Sequence, residues 1–387
     1  MPLQLSAADI LPADPSALLV GRVWSDAKGG PCPVLCREGE VYDLTALSPT
    51  MSGLLDRDDL ITALADPHPP LGPVDAFLNL GDGTGRHGRL LAPCDLQAIK
   101  AAGVTFAGSM IERVIEERAK GDPARAEAIR ADLAGLLGGS LRGVKPGSDA
   151  AAAVKAKLQA AGMWSQYLEV GIGPDAEVFT KAPPMAAVGC GAEIGVHPKS
   201  AWNNPEPEVV LAVNSQGRIC GATLGNDVNL RDVEGRSALL LGKAKDNNAS
   251  AAIGPFFRLF DGSFTLTSVK TLRVGLEIRG EDGFVLQDHS DMGQISRPPE
   301  DIVAQTLNRN HQYPDGFVLY LGTMFAPTKD RNAPGQGFTH HTGDRVTIAS
   351  DQLGRLVNTV RDCDDIAPWT FGTRALMENL ARRGVLG

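Results

Sequence analysis

Residues 202–246 read WNNPEPEVVLAVNSQGRICGATLGNDVNLRDVEGRSALLLGKAKD. An apolar run from Val209 to Val213 and a second from Ile219 to Leu224 flank Asn214-Ser215-Gln216-Gly217, the pattern of two antiparallel strands joined by a tight turn. Glu206 and Glu208 stand two apart at the start of the first strand, and because strand side chains alternate, both leave the same face. Two carboxylates on one face repel unless something positive lies between them. With the turn centred between residues 215 and 216, Glu208 faces Thr223, Glu206 faces Gly225, and Asp227, two residues on, shares their face. A one-residue slip would turn Asp227 away. Three oxygen ligands without a neighbouring Cys or His describe a hard divalent cation, Mg²⁺ or Mn²⁺, rather than zinc. Held by three carboxylates, such an ion keeps about three positions open, which suits a bidentate 2-oxo acid and one water. Three carboxylates and a 2+ ion still sum to −1, so an anionic substrate needs another cation, and Lys243 and Lys245 follow on the same segment. An E-x-E pair on a strand also reads as a solvated acidic face, and the pattern by itself leaves both readings open.

The rest of the chain is in keeping with a globular protein. Its 387 residues suffice for about two domains with a sizeable core, and 43% hydrophobic with 21% charged residues is ordinary for a soluble fold. The net charge of −9 and the lack of a Lys/Arg block argue against nucleic acid as a partner. The longest apolar runs, such as Phe317 to Leu321, are far shorter than the roughly 20 residues of a membrane span, and the N-terminus shows no basic region followed by an apolar stretch. A cytoplasmic protein is expected, with no membrane partner. Six cysteines are too sparse for a disulfide framework, and 44 glycines with 26 prolines predict many turns.

Outward from the central hairpin, residues 1–93 alternate short apolar runs with turns and predict a small β-rich N-terminal domain. Residues 94–167 change to helical period: Ser109-Met110-Ile111-Glu112 fits a capping box, Asp122-Pro123 opens a helix that Gly138 closes, and alanines 150 to 153 begin a third that ends near Gly162. This segment bridges to a catalytic domain over 168–387. There, strands are predicted at Glu208–Val213, Ile219–Leu224, Leu272–Ile278, Phe284–Asp288, Phe317–Leu321, Val346–Ala349 and Leu356–Val360, with one helix from Pro299 to Leu307. The expected fold class is mainly β with α+β elements.

Asn204-Pro205-Glu206-Pro207-Glu208, the run Gly225-Asn226-Asp227-Val228-Asn229-Leu230-Arg231-Asp232 and Gly242-Lys243-Ala244-Lys245-Asp246 resemble the fumarylacetoacetate hydrolase superfamily, metal-dependent enzymes acting on 2-oxo acids and acylpyruvate-like substrates. Gly322-Thr323 and Gly343-Asp344-Arg345-Val346 look like that family's substrate loop and late hairpin, and the resemblance covers roughly 168–362. It implies a mixed β-sandwich or roll for the catalytic domain, Glu206, Glu208 and Asp227 as metal ligands, a lysine near the substrate's carboxylate or enolate, and a homodimer or larger assembly. The hydrolases carry a His-x-x-Glu pair on a lid helix, whereas the corresponding place here looks like Ser109-Met110-Ile111-Glu112, so hydrolysis lacks its obvious general base. The long helical insertion and the Ala-Lys-Asp continuation look more like the 2-keto-3-deoxypentonate dehydratase branch. That likeness implies a Mg²⁺-dependent dehydratase forming 2,5-dioxopentanoate from a substrate such as 2-keto-3-deoxy-D-xylonate in pentose (xylose) catabolism. It makes Lys245 the catalytic lysine, acting as a base with a pKa lowered beside the ion, Glu177 an acidic residue reaching metal or substrate, and Thr323 and Ser109 substrate-binding groups. The rival expectations are a hydrolase or decarboxylase of acylpyruvate-like acids on the same metal site, and a catalytically silent β protein with a stabilising ion.

Other signals carry less. Gly83-Thr84-Gly85-Arg86-His87-Gly88 matches a dinucleotide fingerprint by letter, but Leu90-Leu91 reads as extended and Pro93 follows, leaving no helix to receive a phosphate. Cys32 and Cys36 lack a second pair for zinc. His340-His341 sits in a Gly/Pro-rich stretch expected to be a mobile surface loop.

Overall fold

The computed structural model describes residues 5–78, 85–106, 110, 144–325, 327, 329–333 and 337–386. Its strands are, in chain order, β1 (Leu19–Ser25), β2 (Gly30–Arg37), β3 (Glu40–Asp43), β4 (Pro70–Pro73), β5 (Gly88–Leu91), β6 (Ala98–Gly103), β7 (Glu177–Ala182), β8 (Glu193–Val196) and β9 (Asn203–Asn204). They continue as β10 (Pro207–Val213), β11 (Ile219–Asp227), β12 (Asn229–Leu230), β13 (Ala251–Leu259), β14 (Arg273–Arg279), β15 (Val285–Asp291), β16 (Phe317–Tyr320), β17 (Arg345–Ser350) and β18 (Gly354–Asp362). An eleven-stranded sheet has the order β4-β3-β2-β1-β13-β11-β10-β16-β6-β7, with β5 added on β1, and a five-stranded sheet has the order β15-β14-β17-β18-β8. β16 runs parallel to β6 and β18 parallel to β8. The mainly β fold expected from the sequence is thus the observed one. No helix among the described residues is long and apolar enough to cross a membrane.

β10 is buried on both faces. Val209, Leu211 and Val213 join a core with Val274, Leu276 and Ile278 of β14 and Val346 and Ile348 of β17. Val210 and Ala212 join a second core with Val20, Ile99, Ile253, Phe257, Val318 and Tyr320. Each fully buried Val, Leu, Ile or Phe contributes about 1.5–3 kcal/mol through area removed from water, so the two cores fix β10 from both sides. Glu206 and Glu208 share parity with Val210, which places them at the rim of the second core.

The β10–β11 register differs from the simple ladder. Glu208 faces Gly225 rather than Thr223, and Pro207 faces Asn226. The turn is a three-residue loop closed by Gly217 at φ 81°, with Asn214 N donating to Arg218 O at 3.0 Å, and a bulge then adds one residue on β11. The two additions shift the register by two, an even number, so Asp227 keeps its face. Gly225 has a separate role, since a Cβ there would lie 2.4 Å from both Tyr320 Cε1 and Val210 Cγ2.

The sheet runs unbroken across residues 93 and 167, because β1 pairs with β13 and β6 with β7. The alanine helix appears as Asp149–Ala160, capped by Ser148, and the late helix as Pro299–Thr306. The capping box begun by Ser109 falls outside the described residues except for Met110, and the helix expected from Asp122 to Gly138 lies outside them altogether. β13 has no counterpart among the sequence expectations. Pro255 argues against a central strand, and the structure accommodates it at a bulge, where residues 255–257 stand opposite Thr223 alone.

Candidate metal centre

Glu206 lies between Pro205 and Pro207, whose rings fix φ and whose nitrogens donate nothing. Its own N–H donates to Asn226 Oδ1 at 3.1 Å, and its carbonyl accepts from Asp227 N at 3.1 Å, which sets Glu206 beside Asp227 across the hairpin. Asn229 Nδ2 donates to Glu206 Oε1 at 3.0 Å. Glu208 accepts from Gly322 N at 2.7 Å, just beyond β16. Of the N-D-V-N asparagines, Asn226 thus holds the Glu206 backbone and Asn229 aims its carboxylate, while the glycine of Gly322-Thr323 anchors that of Glu208. Glu206, Glu208 and Asp227 are all buried, and one oxygen from each lies within 4.8 Å of the others. The hairpin convergence expected from alternation is what the structure shows.

Two lysines meet these acids. Lys245, at the end of the short helix Leu241–Lys245, places Nζ 2.5 Å from Glu206 Oε2 and 3.0 Å from Asp227 Oδ2. Lys243 is exposed on that helix, so of the two lysines it is Lys245 that the fold places among the acids. Lys181 on β7, wholly buried, places Nζ 2.9 Å from Asp227 Oδ1 and donates to the carbonyls of Val228 and Lys245. Sequence reading missed Lys181, since a strand lysine ordinarily faces water. It is the extra residue of a bulge between β7 and β6, where Thr180 pairs with Lys100 and Ala182 with Ile99. The available signal was a lone lysine in the run Val178-Phe179-Thr180-Lys181-Ala182.

The electrostatics follow from burial. Burial would lower Lys245, but Asp227 and Glu206 win and hold its pKa above the ordinary lysine value. The lowering expected from the sequence belongs to the ion-bound site; without the cation the carboxylates hold the lysine up instead. Burial pushes Lys181 down despite Asp227. Desolvation, then Asp227 and Glu206, push Glu208 well above the usual carboxylate range, while Asp227 falls below it because the two lysines overcome its burial.

The residues fit a hard divalent cation. All donors are carboxylate oxygens, and about 2.1 Å from Mg²⁺ to each implies neighbours about 3 Å apart, against oxygens that here lie within 4.8 Å of one another. Three carboxylates and two ammonium groups carry −1, a 2+ ion makes +1, and a monoanionic acid brings the buried site to neutrality. Lys181 supplies the cation that the sequence-level tally lacked. Because Glu208 holds a proton above the ordinary carboxylate range, it must release that proton to ligate. Mg²⁺ affinity is therefore expected to fall as pH is lowered from neutral, with proton release on binding. Calorimetry in two buffers of different ionisation enthalpy checks this, and binding without proton release under mildly acidic conditions would count against it.

Glu177 begins β7, opposite Gly103, with its carboxylate against that glycine. It is two residues from Phe179, whose ring lies 5.8 Å from Lys245 Nζ. Thr323 follows the Glu208 anchor, and its hydroxyl donates to Phe325 O at 3.1 Å. Ser109 lies outside the described residues. Within the Gly/Pro-rich stretch, the described residues His340 and His341 are hydrogen-bonded to their surroundings, contrary to the mobile surface position expected for them. His340 N donates to Asn203 Oδ1 at 3.2 Å, and its ring nitrogen Nδ1 lies 3.2 Å from Asp344, which Arg331 also grips. Burial would raise Asp344, yet His340 and Arg331 take it down to about 2.

Residues 150–361 match the family model described as fumarylacetoacetate (FAA) hydrolase, C-terminal. The chain is 30% identical over 185 residues to 2-dehydro-3-deoxy-D-arabinonate dehydratase of Saccharolobus solfataricus, a stretch covering 48% of this chain and 58% of that relative. It is 29% identical over 206 residues, 53% of this chain and 67% of the relative, to a probable 2-keto-3-deoxyxylonate dehydratase of Haloferax volcanii. The alignment with the Saccharolobus protein thus spans less than two thirds of that relative's length. Among solved structures, 2-keto-3-deoxy-D-arabinonate dehydratase complexed with magnesium and 2,5-dioxopentanoate superposes with a TM-score of 0.58 at 20% identity, covering 89% of this chain and 99% of that one. Fumarylacetoacetate hydrolase from Exiguobacterium antarcticum gives 0.54 at 16%, covering 89% and 100%. These last two likenesses speak for the fold. With more than half of its length matched by the family model, the chain belongs to the fumarylacetoacetate hydrolase family.

Proposed function

We propose that the protein is a Mg²⁺-dependent dehydratase that converts a 2-keto-3-deoxypentonate to 2,5-dioxopentanoate and water. The observation that carries this reading is the buried triad Glu206, Glu208 and Asp227 with two lysines, whose charge is completed by one divalent cation and one monoanionic acid. The dehydratase names of the two curated relatives support it. Mn²⁺ is the alternative ion for the same oxygen donors.

Mg²⁺ held by the three carboxylates supplies Lewis-acid polarisation of a 2-oxo acid. Lys245, kept protonated by Asp227 and Glu206, directs its ammonium at the substrate's carboxylate or carbonyl oxygen and neutralises charge developing there when the C3 proton leaves. Glu177, as a carboxylate, takes the C3 proton and passes it to the departing C4 hydroxyl, which leaves as water, and Thr323 and Ser109 hold the remaining oxygens. Transfer of a C5 proton to C3 then leaves a C4–C5 enol, and its tautomerisation gives the aldehyde. The net change is loss of one water. Burial of the acids excludes bulk solvent from the charges being formed. The six cysteines are unpaired, in keeping with a reducing, cytoplasmic setting, and pentose breakdown by a homo-oligomer belongs to the same proposal.

Incubating the protein with 2-keto-3-deoxy-D-xylonate and 2-keto-3-deoxy-D-arabinonate, with Mg²⁺ and after chelation, tests this reading. The expected result is metal-dependent appearance of 2,5-dioxopentanoate, with Glu206→Gln slower by a factor of about 30 to 1000. Cleavage of an acylpyruvate with no dehydration of either sugar acid would favour the hydrolase reading instead.

A further inference from the structure

A cavity of about 800 Å³ lies apart from the metal centre, walled by β1, β5, the segment between β7 and β8, and the ends of β14, β17 and β18. None of Glu206, Glu208, Asp227, Lys181 or Lys245 lines it. Its most buried charged wall residue is Arg22 of β1, only 3% exposed. Arg22 Nε donates to Ala92 O at 3.2 Å and Nη1 lies 3.3 Å from Met185 Sδ. No carboxylate is within ion-pair distance of it among the described residues. The nearest acid, Asp95, is taken up by the amides of Met51 and Ser52, at 2.6 and 3.1 Å. Burying a guanidinium without an anionic partner is costly.

The surrounding charge has the same sign. Arg89 of β5 lies over the Trp24 ring at 5.0 Å, and Arg345 of β17 lines the same space; neither has a carboxylate at ion-pair distance among the described residues. Of the other charged wall residues, Arg361 is paired with Glu193 and Arg279 with Glu277, which leaves Glu281 as the remaining wall acid beside Arg22, Arg89 and Arg345, on which Asp95, Asp26 and Glu277 act only from beyond ion-pair distance. This excess stands in a chain of net charge −9. Guanidinium groups match phosphate and carboxylate oxygens through parallel donors, and the apolar walls at Leu90, Met185 and Val188 offer room for a body behind such a head.

We propose that this cavity is a second ligand site, which takes a small organic anion through a phosphate or polycarboxylate head seated on Arg22, with Arg89 and Arg345 completing its charge. Asn248, three residues after Lys245, lines the cavity, so the occupant borders the chain segment that carries the active-site lysine.

The test uses metal-free protein dialysed free of chelator, titrated separately with inorganic pyrophosphate, ADP and citrate, and followed by calorimetry and by the fluorescence of Trp24 and Trp369 in the cavity wall. Saturable binding of at least one probe is expected, weakened about tenfold or more by Arg22→Met and retained by Glu206→Gln. Preference for ADP or pyrophosphate over citrate assigns a phosphate head, and the reverse a carboxylate head. Should Arg22→Met fail to fold, Arg89→Ala, at an exposed position, is expected to weaken the same binding. No saturable binding of any probe, or undiminished affinity in these variants, would overturn the proposal. So would sedimentation showing that Arg22→Met alters self-association while no anion binds, because the cavity would then be covered by a second copy. Absence of anion binding by the unmodified protein, with its dehydration of a sugar acid intact, would refute this site alone and leave the proposed function untouched.

Discussion

Lys245→Met is expected to lower kcat for a 2-keto-3-deoxypentonate by about 10²- to 10³-fold, the range associated with losing one preorganised donor to developing negative charge, while strengthening Mg²⁺ binding. Both effects come from one geometry. The Lys245 ammonium lies 2.5 Å from Glu206 and 3.0 Å from Asp227, so in the cation-free protein it neutralises two of the three ligands. Methionine keeps the apolar stem packed near Phe179 but removes the charge, which leaves the acids a stronger claim on a metal ion and the substrate without its ammonium. Steady-state kinetics alongside a Mg²⁺ titration separate the two. Turnover equal to that of the unmodified protein would remove Lys245 from the chemistry.

Lys181→Met is expected to cost about 1–3 kcal/mol of stability in the absence of metal, the penalty for removing one of the two buried counter-charges of Asp227, which keeps Lys245. Lys181 is fully buried, pairs with Asp227 and spends its other protons on the Val228 and Lys245 carbonyls. Its loss removes a donor from the Val228 carbonyl and the counter-charge from Asp227 Oδ1 at the centre of the site, while the Lys245 carbonyl keeps the Ser250 hydroxyl. Mg²⁺ should recover part of the loss, because it offers Asp227 a new counter-charge and binds only the folded chain. Urea unfolding with and without Mg²⁺ measures both effects. A variant as stable as the original without metal would mean that Asp227 does not depend on this lysine.

The acids were legible in the sequence because the period of two along a strand is strict. Glu206 and Glu208 share a face whatever the register, and Asp227 joins them under any even shift. The register itself was not legible, since Gly217 lengthens the loop and a bulge adds a residue on β11. Bulges also hid Lys181 on β7 and β13 around Pro255, because local pattern does not reveal which residue leaves the ladder. The tie from Gly322 N to Glu208 joins residues 114 apart in sequence. The unbroken sheet from β1 to β13 is likewise a long-range pairing that turn signals near residue 93 could not disclose.

The most direct measurement is a calorimetric Mg²⁺ titration of the unmodified protein, Glu206→Gln and Asp227→Asn at neutral pH. One saturable site per chain is expected, with each substitution weakening it by at least about tenfold, since each removes a charged ligand from a buried site. No saturable binding by the unmodified protein, or undiminished affinity in both variants, would contradict the assignment of these three carboxylates as a metal centre.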